Sequence, residues 1–275
     1  VQPMPEPRPW WEKIWGGQRI KSLLGMDFSP LPNCGEVWVI SSYSDDVSVV
    51  ENGFLAGNNI NELIEIYMDD LLGEKVYEQH KEKFPLLIKF IDADDWLSIQ
   101  VHPDDELARK YNFPNGKTEM WYVLHGEETS QLISGFRRES NSREYMELLE
   151  QKKLQEILNY EKTAKGDIFF MPSGRIHALG PGNLIAEIQQ TSDTTYRIYD
   201  WDRVDENGQG RELHLKRAME AIDFKAEDNY RTLYPKKENA TAEAVSCPYF
   251  TTNVIHLDKP LGKDLEALDS FVVYL

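Results

Sequence analysis

The sequence predicts a mainly β, antiparallel architecture: a sandwich or barrel with helices appended. Three observations lead there. Short apolar runs rich in Val, Ile, Phe and Tyr recur along most of the chain, and such runs fit a pleated, half-buried surface. Turn signals separate them, with 17 glycines and 14 prolines in 275 residues, which suits many short strands. Stretches with helical spacing are few and fall between strand-rich blocks.

The start, Val1-Gln-Pro-Met-Pro-Glu-Pro-Arg-Pro9, cannot form a regular helix and reads as extended. It has no apolar stretch of the kind a secretion signal needs, and without an initiator Met it reads as a trimmed form. Trp15-Gly16-Gly17 reads as a tight turn, with Trp10, Trp11 and Trp15 packing the N-terminal wrap. Residues 36–40 alternate like a strand. Residues 60–72 have helical spacing and stop at Gly73, a C-cap. Residues 86–91 and 97–101 are strand-like, separated by Asp92-Ala-Asp-Asp95, expected as a solvated turn. A short helix is expected over 104–111 and a strand from Glu119 to Leu124.

The clearest helical pattern covers 142–159 (Tyr145, Leu148, Leu149, Leu154, Ile157, Leu158) and reads as a helical insertion over about residues 137–160. Strands resume at 167–171, 184–188 and 195–199. A polar segment over 205–235 holds a helix at 212–224, residues 236–244 read as a linker, and a last strand-like block runs over 249–275. Its end, Ser270-Phe-Val-Val-Tyr-Leu275, is an apolar strand without a returning partner, so further residues are expected to have followed it.

Composition narrows the function. The formal net charge is −17, and a nucleic-acid partner would need clustered Lys and Arg instead. A small phosphorylated ligand needs only two or three local cations, so it remains open. Cys34 and Cys247 lie far apart, outside any C-x-x-C pair, and read as two buried free thiols in a reducing, cytoplasmic setting. No run approaches the roughly 18 apolar residues of a membrane span. Gly116-Lys117-Thr118 is no phosphate-binding loop, because the position five residues before Gly116 is Tyr111. His80, His125, His214 and His256 fall outside every pattern and read as structural or surface residues.

The chemistry concentrates around Leu97-Ser-Ile-Gln-Val-His-Pro-Asp-Asp105. Gln100 and His102 alternate there and should leave one face of a strand. Ser98 shares that face by parity. Glu119 opens the next strand, His177 follows the turn Pro172-Ser-Gly-Arg, and Arg197 lies in Thr195-Tyr-Arg-Ile-Tyr199. Two neutral imidazoles, a carboxylate and an amide oxygen make a zinc shell with room for a substrate oxygen.

Spacing sharpens this. Six residues intervene between Glu119 and Gly126, and Gly166, Pro172, Gly174 and His177 follow G-x5-P-x-G-x2-H. These resemble the two short motifs of the cupin superfamily, except that Asn183 comes after five intervening residues instead of three. Gly116-Lys-Thr-Glu-Met-Trp-Tyr, Pro172-Ser-Gly-Arg-Ile-His-Ala, Glu187-Ile-Gln-Gln-Thr-Ser-Asp-Thr-Thr-Tyr-Arg197 and Asp200-Trp closely resemble the type I mannose-6-phosphate isomerases, in their short bacterial form.

That resemblance implies a cupin jelly-roll barrel with a helical insertion over residues 1–242, and an incomplete second cupin-like barrel over 243–275. It implies one Zn2+ per chain on Gln100, His102, Glu119 and His177. It also implies a substrate pocket drawing on Ser98, Lys89, Lys117 and Arg197, with catalytic roles among Arg197, Lys117 and Glu187. The implied reaction interconverts mannose 6-phosphate and fructose 6-phosphate through a cis-enediol, in a monomer or homodimer with no nucleic-acid or membrane partner. The catalytic base stays open among Arg197, Lys117, Lys89 and Glu187. Two other readings share the donor set: an Fe(II) cupin oxygenase and a non-catalytic sugar-phosphate-binding cupin. The neutral glutamine and the two cations Lys117 and Arg197 favour the isomerase.

Overall fold

The computed structural model describes residues 9–205 and 207–275. The extended start expected over residues 1–9 lies, up to residue 8, outside the described residues. The elements run β1 (Trp10–Trp11), α1 (Arg19–Leu24), β2 (Glu36–Ile40), β3 (Ser42–Tyr43), β4 (Asp46–Val47), α2 (Ile60–Leu72) and α3 (Glu74–His80). Next come β5 (Leu86–Ala93), β6 (Ile99–Val101), α4 (Asp105–Lys110), β7 (Glu119–Gly126), β8 (Gln131–Phe136) and α5 (Ser142–Glu150). After a 3-10 turn at Leu154–Ile157 follow β9 (Leu158–Lys162), β10 (Ile168–Met171), β11 (His177–Leu179), β12 (Asn183–Gln190) and β13 (Tyr196–Tyr199). Helix α6 (Leu215–Ala221) and the hairpin β14 (Thr241–Ser246) with β15 (Thr251–Ile255) complete the order.

Two antiparallel sheets form a jelly-roll barrel. One runs β1-β2-β5-β12-β7-β10, the other β13-β6-β11-β8-β9. The pleat sorts each strand by parity. On β7, Trp121 and Val123 face inward to meet Leu132 and Leu179 of the opposite sheet, whereas Met120 faces outward beneath the β14–β15 hairpin. On the second sheet, Ile99, Val101, Ala178, Tyr196 and Ile198 face outward and are covered by Tyr145 of α5 and Ala218 of α6. The interior divides along its length. One half is apolar, built from Trp15, Ile91, Val123, Phe169 and Ile185. The other half receives Lys89, Glu119, Glu187, His102 and His177, all buried.

Register sets that polar half. Glu187 pairs with Lys89 on one side and Trp121 on the other, and Gln189 pairs with Glu119. Across the second sheet, His177 pairs with Gln100 and Ser134, and Gln100 with Arg197. Partners in antiparallel register share a face, so two short rows of polar side chains look at each other across the barrel.

Several expectations change. The helix expected over 142–159 ends at Glu150, because Lys152 takes a left-handed backbone (φ 58°) and Leu154, Ile157 and Leu158 turn into the core. The helix expected over 212–224 is shorter, Leu215–Ala221. Asp92 is not solvated: it is fully buried, accepts from the Arg19 and Ile20 amides and pairs with the Arg19 guanidinium, so it anchors the start of α1. The linker expected over 236–244 contributes its last residues to β14. Residues 270–275 form no strand, although Phe271 packs on Phe84 with ring centroids 4.5 Å apart. Cys34 is buried, but Cys247 is only half-buried. Within 243–275, where the start of an incomplete second barrel is expected, residues 241–255 form a two-stranded hairpin; that expectation rests on the resemblance alone. Among those residues no helix is long and apolar enough to cross a membrane.

Candidate active site

Three strands and one strand-end loop supply the candidate metal donors. Gln100 sits mid-β6 and His102 just past its end, where Pro103 stops the ladder. Glu119 is the first residue of β7 and His177 the first of β11. The His102, Glu119 and His177 ligand atoms lie within 4.8 Å of one another. Nε2 of His102 is 3.4 Å from Glu119 Oε2, and Nε2 of His177 is 3.3 Å from Oε1. Gln100 Nε2 stands 3.4 Å from His177 Nε2, and a half-turn of the carboxamide presents Oε1 to the same point. Ser98 Oγ is 3.5 Å from Gln100 Oε1.

Both imidazoles are held from behind. Nδ1 of His102 lies 2.9 Å from the Thr194 carbonyl and Nδ1 of His177 lies 2.8 Å from the Arg175 carbonyl. A carbonyl can only accept, so Nδ1 carries the proton and each Nε2 turns a lone pair inward. Burial, with help from the Lys117 charge, pushes His102 down to about 3; burial also lowers His177. Both rings are therefore neutral at ordinary pH. Burial opposes ionisation of Glu119, but the Lys117 ammonium outweighs it and keeps the carboxyl well below its usual range.

The cluster fits a metal. Both Glu119 oxygens are buried and accept no hydrogen bond among the described residues. Lys117 Nζ comes within 2.8 Å of Oε2, close enough for charge pairing but off the hydrogen-bonding direction. A buried carboxylate left with open lone pairs is costly unless a cation takes them. Two neutral nitrogens, a carboxylate and an amide oxygen are the donors zinc accepts.

The cations complete the picture. Lys117 Nζ is 3.2 Å from His102 Nε2 and 3.9 Å from Glu187 Oε1. Lys89 Nζ is 3.8 Å from the same Glu187 oxygen, 3.2 Å from Glu36 Oε2 and 3.7 Å from Asp193 Oδ1. Glu187 Oε2 accepts from Trp121 Nε1 at 2.8 Å, leaving Oε1 buried without a hydrogen-bond donor among the described residues. Burial and then the Glu119 charge raise the Glu187 carboxyl well above its usual range.

Eight of the nine residues singled out from the sequence thus belong to one contact network. Arg197 is the exception. It shares the inner face with Gln100 by register, but its guanidinium donates to the Glu212 carbonyl at 2.8 Å, and its Nε is buried without a partner among the described residues. Sequence reasoning missed Glu36, Trp121 and Asp193. Parity could have found Trp121, two residues after Glu119, and Glu36, which alternates with Trp38 and accepts from its Nε1 at 2.9 Å. Asp193 lies in the turn before β13 and carries no such signal.

A family model described as phosphomannose isomerase type I, catalytic domain, matches residues 9–139. The chain is 37% identical over 249 residues to the mannose-6-phosphate isomerase of Streptococcus mutans, covering 87% of this chain and 74% of that one. It is 37% identical over 246 residues to mannose-6-phosphate isomerase ManA of Bacillus subtilis, covering 87% and 75%. The solved mannose 6-phosphate isomerase from Bacillus subtilis superposes with a TM-score of 0.78 at 34% identity, over 88% of this chain and 76% of that one. A zinc-bound mannose 6-phosphate isomerase shares the fold at 16% identity, with a TM-score of 0.67 over 87% and 79% of the two chains.

Proposed function

The chain belongs to the type I phosphomannose isomerases, and from that premise we propose that it interconverts mannose 6-phosphate and fructose 6-phosphate with one zinc ion held by Gln100, His102, Glu119 and His177. The observation that carries this reading is the buried His102-Glu119-His177 cluster with two open carboxylate oxygens, set beside the Lys117 and Lys89 ammonium groups.

The reaction moves one proton between C1 and C2 and another between the oxygens they carry, through a cis-enediol. When bound, zinc supplies Lewis-acid polarisation of the substrate carbonyl. The chain's own groups do the rest. Glu187 has the character of a proton-transfer group: a raised carboxyl matches a base that must both take and return a proton near neutral pH. Its free Oε1 takes the C2 proton of the aldose and returns it to C1 of the ketose. Trp121 fixes the other oxygen. Lys117, between Glu119 and Glu187, stabilises negative charge developing on the substrate oxygens. Lys89 is already shared among Glu36, Glu187 and Asp193, so it holds Glu187 in place more than it grips phosphate. Arg197, on the inner face with its Nε open, supplies the bidentate cation that a phosphate or an enediolate calls for. Ser98 offers a hydroxyl beside Gln100.

The test is turnover of fructose 6-phosphate to mannose 6-phosphate, with and without a chelator. Chelator-sensitive turnover is expected; none from zinc-loaded, folded protein would sink the reading. His177→Ala should lower bound zinc strongly, while Arg197→Ala should keep zinc and lose rate. Equal zinc loss in both would refute the division between metal shell and substrate pocket.

A further inference from the structure

A relay of hydrogen bonds joins the C-terminal hairpin to the backbone that carries Lys117. Tyr249 lies in the turn between β14 and β15, and its hydroxyl donates to Asp105 Oδ2 at 2.8 Å, across 144 positions of sequence. The other oxygen, Asp105 Oδ1, accepts from the Gly116 amide at 2.8 Å and from Gln190 Nε2 at 3.0 Å. Gln190 Oε1 in turn accepts from the Thr118 amide at 2.9 Å. The Lys117 amide itself donates to the Pro103 carbonyl at 3.0 Å. Three consecutive amides are thus pinned, and the two flanking Lys117 are pinned through Asp105 or its partner Gln190. The packing here allows no slack: a Cβ on Gly116 would come within 2.6 Å of the Asp104 carbonyl carbon and 2.7 Å of the Asp105 nitrogen.

This matters because Lys117 Nζ stands between groups only 2.8 and 3.2 Å away, Glu119 Oε2 and His102 Nε2. At such distances a small backbone shift changes the charge offered to a reacting oxygen. We propose that Tyr249 and Asp105 are positioning residues for the Lys117 ammonium, so that the β14–β15 hairpin braces the reaction centre as well as covering the outer face of its sheet. The proposal rests on the role given to Lys117 above.

Tyr249→Phe in the full chain removes the donor and keeps the ring, which is half-buried in the cluster beneath the hairpin. Amide hydrogen exchange at Gly116 and Thr118 should accelerate roughly tenfold while β12 stays protected. In the zinc-loaded protein kcat should fall by roughly five- to tenfold, with KM and zinc content within about twofold of the parent. Unchanged exchange at both amides would overturn the brace. Faster exchange with unchanged kcat would overturn the proposal through its premise, the role of Lys117. A fall in kcat accompanied by faster exchange throughout β12, or by zinc loss, would mean general destabilisation and would overturn it too.

Discussion

Burial and the nearby Glu119 carboxylate push the Glu187 carboxyl from an ordinary value of 4.5 up to about 7. The folded chain therefore keeps this proton longer than the unfolded chain does. Its contribution to stability is complete below about pH 4.5 and is lost as pH rises to about 7. In chelator-treated protein the urea midpoint of the parent should fall across that window, and Glu187→Gln should remove that part of the fall. Parallel midpoint curves for the two proteins would contradict it. The same substitution should cost about 10²- to 10⁴-fold in kcat with zinc retained, as loss of a general base does; a kcat within about threefold of the parent would move the proton transfer elsewhere. At this scale the sequence spoke clearly where chemistry and period coincide. Gln100, His102 and Glu119 stood out because polar residues interrupt apolar strands at fixed parity. Trp121 did not, since an inward aromatic in a strand looks like ordinary core until its Nε1 is seen on Glu187.

Strands and helices were read best where one period runs without competition. Residues 60–72 keep the expected bounds of α2, closed at its start by a capping box in which Asn59 accepts from the Glu62 amide and Glu62 from the Asn59 amide, although a kink at Met68 (φ 47°, ψ −120°) interrupts the helical backbone near its end. Residues 142–159 misled because Leu154, Ile157 and Leu158 continue a helical spacing by coincidence. They serve a 3-10 turn and the edge strand β9 instead. Leu154 is 3% exposed and packs with Tyr145 and Phe136, so Leu154→Ala should cost about 2–5 kcal/mol in chemical unfolding. A loss below about 1 kcal/mol would contradict that burial. The turn after β11 also became intelligible only in three dimensions. Asn183, displaced from the usual motif spacing, is fully buried, donates to the Gly180 and Gln131 carbonyls and accepts from Thr163 Oγ1. The two extra residues are absorbed there, and His177 keeps its place.

For the whole molecule, the division of the barrel interior into an apolar and a polar half makes metal binding and folding interdependent. The donors come from β6 and the loop after it, β7 and β11, so a bound ion ties both sheets together. Zinc at about a thousandfold over its dissociation constant should add about 4 kcal/mol to stability. Tm should accordingly rise when zinc is restored to chelated protein, and His177→Ala should abolish the rise; a Tm indifferent to zinc in the parent would contradict a bridging ion. The fold class and the parity that sets Gln100 and His102 on one face are legible in the amino-acid order, because strand period and residue chemistry are local properties; the metal donors are read from it as a proposal. Long-range contacts alone make Asp92 a buried anchor, turn Arg197 toward the 212–214 segment, share Lys89 among three carboxylates and bring Tyr249 to Asp105. Each depends on which distant segments meet, and a charge declares its partner only when folding has removed the water between them.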